Sequence, residues 1–450
     1  MQCLILTGTG GAGTTTVAAA TAALAARRGR RVLLTSVVST SALADVLDLP
    51  LPPGLGGRGS GRGDQDDPGG TGPWIEPAEL APGLFVAPFE PGRLARDRWP
   101  DARDRLGPLW EALAVPPLEA EELLDVPGLG ELAALAALRA AACGTMPFDV
   151  VVLDAGPLTA SLPLLALPAA LAGYLRRLLP AESLLGRRRA LALGGFRFGL
   201  PPAADAVERL RGDGLAAMDE LAGALTDPDR VAVRLVAGPG RLAWSASRRA
   251  LRALALHGIA VDAVIANRPL AGPELAAEPV AAPVDPLAEL AELAAPPPVL
   301  SIPAARREPV GLAALAALGA AAYPDGDPTR CHTAGARTAG SGASDGGASD
   351  GGGSDGGGAG PAPAPVLARS GESFSLTLSL PFTEPGEVEL ARLGDDRLAL
   401  TVGADRRVLT LPSVLRRCEV DGAALRGDRL VISFVPDPAL WPRTRSGLPA

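Results

Sequence analysis

The amino-acid sequence predicts an α/β fold, a mostly parallel sheet with helical insertions, followed by a small antiparallel β-sandwich. Three observations carry this reading. Short apolar runs alternate with Ala- and Leu-rich stretches up to Tyr323, the pattern of strands joined by crossover helices. The first strand runs into a glycine-rich turn and then a helix, CLILTGTGGAGTTTVAAA over residues 3–20; strand, glycine turn and helix together form a phosphate-binding loop. After a Gly/Ser/Asp-rich stretch the hydrophobic period changes to two, as in SFSLTLSL over residues 373–380.

The elements follow in order. Residues 3–6 form the first buried strand, and its helix ends near Gly29. RVLLTS, residues 31–36, is a second strand, and residues 84–89 a third. Residues 52–73 are rich in Gly, Pro, Arg and Asp and read as a disordered insertion. Residues 109–142 repeat Leu and Ala at helical spacing, broken at Pro127-Gly128. FDVVVLD, residues 148–154, is the strongest strand signal. The uncharged run 155–175 is long enough to cross a bilayer but holds Pro157, Pro163 and Pro168, and it reads as a buried segment and helix. Helix continues from 169 to about 225, and strands follow at 230–237, 261–268 and 299–303.

The domain boundaries expected are 1–325 for the α/β part, with helical segments at about 100–145 and 169–225, 326–369 for a flexible linker, 370–436 for the sandwich and 437–450 for a tail. The sandwich strands expected are 373–380, 388–393, 397–402, 407–411 and 429–434.

Composition narrows the function classes. The 450 residues suffice for two or three domains, and the net charge of −8 argues against nucleic acid as a partner. The chain has no lysine, so all 42 basic residues are arginine. Cys3, Cys143, Cys331 and Cys418 are scattered, which suits a reducing cytoplasm and offers no zinc or disulfide framework. Cys331 and His332 are adjacent, too close to chelate a metal alone.

The loop 7–16 reads TGTGGAGTTT, whereas the nucleotide-hydrolysing consensus has Gly-Lys-[Ser/Thr]. It resembles the loop of the arsenite-pump and tail-anchored-protein targeting ATPases, a branch of the phosphate-loop NTPases. Gly8, Gly10, Gly11, Gly13, Thr15 and Thr16 match that family's Gly-Lys-Gly-Gly-Val-Gly-Lys-Thr-Thr; its two lysines fall on Thr9 and Thr14. Leu43, Asp45 and Val46 match its first switch, but the water-activating Asp falls on Val38. Asp154, Pro157, Leu162, Leu164, Leu165, Leu167 and Pro168 match its magnesium strand and second switch, whose Gly and His fall on Thr159 and Ala160. VDAVIANR, residues 261–268, matches the adenine-reading strand. Leu380-Pro381-Phe382, Val402-Gly403, Arg406-Arg407 with Leu411-Pro412, and Gly422-Ala423 match an α-crystallin-like domain appended to some members.

The resemblance implies a nucleotide site of Gly8, Gly10, Gly11, Ala12, Gly13, Thr14, Thr15, Thr16, Asn267 and Pro303, with Thr15 and Asp154 on magnesium and Mg-ATP as the ligand. It also implies a homodimer, a hydrophobic protein client and cytoplasmic residence. Without the resemblance, the residues favour the plainer readings: Asp154 as the polar end of a buried strand, Asn267 as a turn former, and Leu175, Leu178, Leu179, Leu184 and Leu185 as helical core rather than groove.

Three readings of function follow. In the first, the replacements at Thr9, Thr14 and Val38 leave a binding protein with little or no hydrolysis. Each lost charged group is worth about 3 kcal/mol in the barrier, or roughly a hundredfold in rate, and a valine cannot deprotonate water. In the second, the chain is an active ATPase using other residues, with Arg248 and Arg249 conceivable as substitutes, coupled to membrane-protein targeting or anion export. In the third, it is a nucleotide-independent holdase acting through its helices and sandwich.

Overall fold

The computed structural model describes residues 1–38, 40–49, 77–120, 122, 128–178, 202–267, 289–290, 292–293, 297–305, 307–324, 327–330, 365–371, 373–438 and 440. The expected insertion 52–73, most of the linker, Leu179, Leu184, Leu185, Cys331-His332 and the last ten residues lie outside them. The chain divides into two compact units, Met1–Ala232 with Ser301–Arg330, and Val233–Leu300 with Cys331–Ala450.

The first unit holds strands β1 (Gln2–Gly8), β2 (Val32–Ser36), β3 (Ala78–Ala81), β4 (Leu84–Val86) and β5 (Val150–Pro157), in the order β3-β4-β2-β5-β1. All pairs are parallel except β3 with β4. β1, β2 and β5 are almost wholly buried, as expected of parallel strands covered on both faces. Helix α1 (Thr14–Arg27) packs closely on α9 (Leu312–Ala322). Gly319 makes this approach possible, since a Cβ there would come within 2.5 Å of the Ala20 carbonyl oxygen. Thr21 hydroxyl and Tyr323 hydroxyl, 2.9 Å apart, tie the same seam.

Helices α2 (Thr40–Leu47), α3 (Pro91–Arg105), α4 (Gly107–Leu113), α5 (Leu129–Cys143), α6 (Leu158–Leu178) and α7 (Pro202–Thr226) also belong to this unit. Arg176–Asp219 and Arg139–Glu220 join α6 and α5 to α7 at 2.5 and 2.6 Å. The expectation of a buried segment over 155–175 is corrected in one respect. Residues 155–157 are inside β5, but in the apolar window of α6 only 22 % of residues are buried. The helix rests on its neighbours through Leu164, Leu165, Pro168 and Ala172 and leaves Tyr174 and Leu178 exposed. It is long and apolar enough to cross a membrane by length and composition.

The second unit contains the parallel strands β6 (Val231–Ala237, from Val233 onward) and β7 (Val261–Asn267), with helix α8 (Arg241–Leu256) between them. The last strand of the α/β part is β8 (Val299–Ile302). Arg234 of β6 and Asp262 of β7 form a fully buried ion pair at 3.0 Å.

Among the described residues, the second unit also holds two antiparallel sheets. One has the order β14-β15-β10-β9 and the other β11-β12-β13. Their ranges are β9 (Val366–Ser370), β10 (Ser373–Ser379), β11 (Val388–Leu393), β12 (Arg397–Val402), β13 (Asp405–Thr410), β14 (Cys418–Arg426) and β15 (Arg429–Pro436). The period-two pattern does its work here: Phe374, Leu376 and Leu378 point inward with Leu398, Leu400, Leu430, Ile432 and Phe434.

Candidate nucleotide site

The site lies at the carboxyl ends of the adjacent parallel strands β2, β5 and β1, where open α/β sheets hold their ligands. Register fixes the level: Leu6 of β1 and Ser36 of β2 both stand beside Asp154 of β5. The loop leaves β1 at Gly8 and enters α1 at Thr14. Gly10, Gly11 and Gly13 have φ of 85°, 61° and 83°. At Gly10 and Gly11 an added Cβ would meet nothing within 4 Å, so glycine is required there for conformation and not for space. Gly13 caps α1, whose first turn has no side-chain cap and no acidic residue. That leaves a helix N-terminus suited to an anion.

Asp154 is 1 % exposed. Thr15 Oγ1 donates to its Oδ2 at 2.7 Å, Ser36 Oγ donates to the same oxygen at 3.2 Å, and Gly156 N–H donates to Oδ1 at 3.0 Å. Burial pushes its carboxyl pKa above the ordinary value, and the three hydrogen bonds only partly oppose this. No arginine or histidine pairs with it among the described residues. A buried carboxylate beside a loop hydroxyl is a hard-oxygen donor set, and it fits magnesium.

Ser36 has a second contact, since Val38 N–H donates to its hydroxyl oxygen at 3.3 Å. Val38 itself is 50 % exposed. A Cβ added to Gly156 would come within 2.8 Å of Val38 Cγ2, and Gly156 has φ 65°. The position where a water-activating carboxylate is expected is thus at the site, but its side chain is a hydrocarbon. Thr7 Oγ1 donates to Gly156 O at 3.1 Å and shares a hydrogen bond with Ser161 Oγ at 2.6 Å, joining β1 to the first turn of α6.

Thr9 is half-buried and Thr14 is buried at 8 % exposure, so neither lysine position carries charge. Arg248 lies over the Phe382 ring at 4.9 Å and pairs with Glu289 at 3.3 Å, while Arg249 is exposed on α8. Asn267 ends β7 and is 5 % exposed, in the second unit; Pro303 is exposed just after β8, in the first. Sequence reasoning missed Ser36, Gly156, Thr7 and Ser161. Their polarity or flexibility at strand ends is a faint signal, and only the sheet register brings them together.

A glycine loop at strand ends, with its helix threonine against an acid from the neighbouring strand, defines a phosphate-loop α/β protein. The profile described as "Anion-transporting ATPase" matches residues 1–323, and "HSP20-like domain found in ArsA" matches residues 371–434. An uncharacterized Streptomyces coelicolor protein is 35 % identical over 99 % of this chain and 100 % of its own. A Mycobacterium tuberculosis protein is 28 % identical over 97 % of each. A putative arsenical pump-driving ATPase of Prosthecochloris vibrioformis is 25 % identical over 96 % of each. The chain belongs to the anion-transporting (ArsA) ATPase family and carries that family's HSP20-like domain.

Proposed function

We propose that this family member is a nucleotide-responsive binding protein that takes Mg-ATP weakly, hydrolyses it very slowly or not at all, and holds a hydrophobic protein segment on its helical part. The observation that carries the reading is the split character of the site. The groups that hold a bound phosphate and its cation are kept: the left-handed glycines, the open first turn of α1, and Thr15 with Asp154. The groups that act on the transition state are replaced by Thr9, Thr14 and Val38.

The chain's own residues have distinct tasks in this proposal. Backbone N–H groups from Gly10 to Thr15 orient the phosphates. Thr15 and Asp154 hold magnesium, which when bound offsets phosphate charge. Ser36 aligns Asp154 and fixes the backbone of Val38. Val38 neither orients nor deprotonates a water, and no lysine stabilises charge as it moves to the leaving oxygen. Support for the client comes from α6, an apolar helix with only 22 % of its apolar window buried and with Tyr174 and Leu178 exposed. Homodimer formation and a cytoplasmic setting belong to the same proposal.

Calorimetric titration of Mg-ATP and Mg-ADP into the parent and a Thr14→Lys variant tests it. Weak binding by the parent, tightened by Thr14→Lys, is the expected result. No binding by either would overturn the nucleotide part, and magnesium-dependent turnover by the parent, abolished in Asp154→Asn, would overturn the claim of slow or absent hydrolysis.

A further inference from the structure

Helix α8 presents one stripe at four-residue spacing: Trp244, Arg248, Arg252 and Leu256. Every member of that stripe meets the sandwich. Trp244 packs edge-on against Phe382, with ring centroids 6.3 Å apart. Arg248 lies over the same ring at 4.9 Å. Arg252 Nη1 donates to Glu387 Oε2 at 2.7 Å. Leu256 joins the sandwich core cluster, and its carbonyl accepts a 2.7 Å hydrogen bond from Arg407 Nη1. That arginine also places positive charge at the C-terminal end of α8, where the helix dipole favours it.

On the sandwich side these contacts come from positions that stand out in the sequence. Phe382 belongs to Leu380-Pro381-Phe382, Gly403 to Val402-Gly403, and Arg407 to Arg406-Arg407. Gly403 has φ 59°, and a Cβ on it would come within 3.0 Å of Arg252 Nη2. Glu387 is held for its task by a capping box with Glu384.

We propose that this seam is a specific interaction surface: the HSP20-like sandwich reads the Trp-Arg-Arg-Leu stripe of α8 and serves as the built-in partner of the ATPase-like half, and it does not hang from the linker as an independent chaperone module. The physical case rests on three features. Arg252 and Glu387 are paired across the seam at 2.7 Å, and removing one partner leaves the other's charge uncompensated there. The half-buried Arg407 guanidinium is committed to α8 by its 2.7 Å hydrogen bond to the Leu256 carbonyl. Phe382 is already covered by Trp244 and Arg248, and Leu256 is buried in the sandwich core, so neither side chain is offered to another protein.

The test uses the full chain and three variants, Arg252→Glu, Phe382→Ala, and the charge swap Arg252→Glu with Glu387→Arg. Hydrogen exchange of the α8 amides and small-angle scattering are read together at neutral pH. In the parent, α8 should be protected and the scattering should fit a docked sandwich. Arg252→Glu should speed α8 exchange by roughly tenfold or more, as expected for a half-buried charge left facing its like. The swap should recover most of that protection, which separates docking from a general loss of folding. Phe382→Ala should speed exchange at the Trp244 end of α8 more than at Leu256. Parent scattering that fits a freely tethered sandwich, or α8 exchange unchanged in both single variants, or a swap no better than Arg252→Glu, would overturn the proposal.

Discussion

Asp154 is a carboxylate held in the interior by hydroxyls and one backbone N–H, with burial raising its pKa. A group whose folded pKa is raised lends full stability below its unfolded value and loses it as pH rises through the folded one. Ionised Asp154 is therefore a burden on the magnesium-free protein at neutral pH and above. Asp154→Asn should raise the apo melting temperature at pH 8, by about 2–4 °C for each kcal/mol recovered, with the gain fading toward pH 4. The same change should abolish the magnesium dependence of nucleotide binding. Thermal melts across pH check the first part; a variant less stable than the parent at pH 8 would refute it. The Arg234–Asp262 pair behaves differently because both partners are buried and joined. Asp262→Ala leaves a buried guanidinium without that partner and should cost about 3–5 kcal/mol in denaturant unfolding. Thr15 and Asp154 were readable in the sequence because loop and strand each have a local pattern. Ser36 and Gly156 were not, since their roles exist only once β2 and β5 lie in register.

Elements were legible where burial imposes a period. β1, β2, β5 and the sandwich strands β11 and β12 declare themselves by apolar runs or strict alternation. Helix α3 does not: PGRLARDRWPDARDR is charged nearly all round and has Pro100 inside it. The edge strand β3, AELA, has little apolar surface to betray it. The stripe of α8 is obscured in another way, because two arginines on a helix read as a solvated face until the sandwich covers them. Helix α6 was legible as a helix, and its exposure was not, because composition cannot say which apolar face finds a neighbour. Leu178 is 72 % exposed. Leu178→Glu should therefore change the melting temperature little, as surface substitutions stay within about 0.5 kcal/mol. It should weaken binding of a soluble apolar peptide or of a hydrophobic dye if α6 forms the client surface; unchanged binding would remove α6 from that role.

At the scale of the whole chain, the seam between α8 and the sandwich should respond to acid. His257 sits just past α8, facing Arg407 and Asp405 of β13; burial and then the Arg407 charge lower its pKa. Glu387 is lowered by the Glu384 N–H and by Arg252. Both are depressed, so each contributes stability at high pH that is lost on acidification. The His257 share is lost below its ordinary 6.5 and the Glu387 share below 4.5. Scattering between pH 8 and pH 4 should show the sandwich loosening in two stages, and His257→Gln should remove the upper one. The seam also has a consequence for the order in which the chain is made. Leu256 emerges long before β15 ends at Pro436, roughly 180 residues later, and at about 5–20 residues per second a ribosome takes on the order of 10–40 s to cover that distance. For that interval the Trp244–Leu256 stripe of α8 exists without the sandwich strands that cover it.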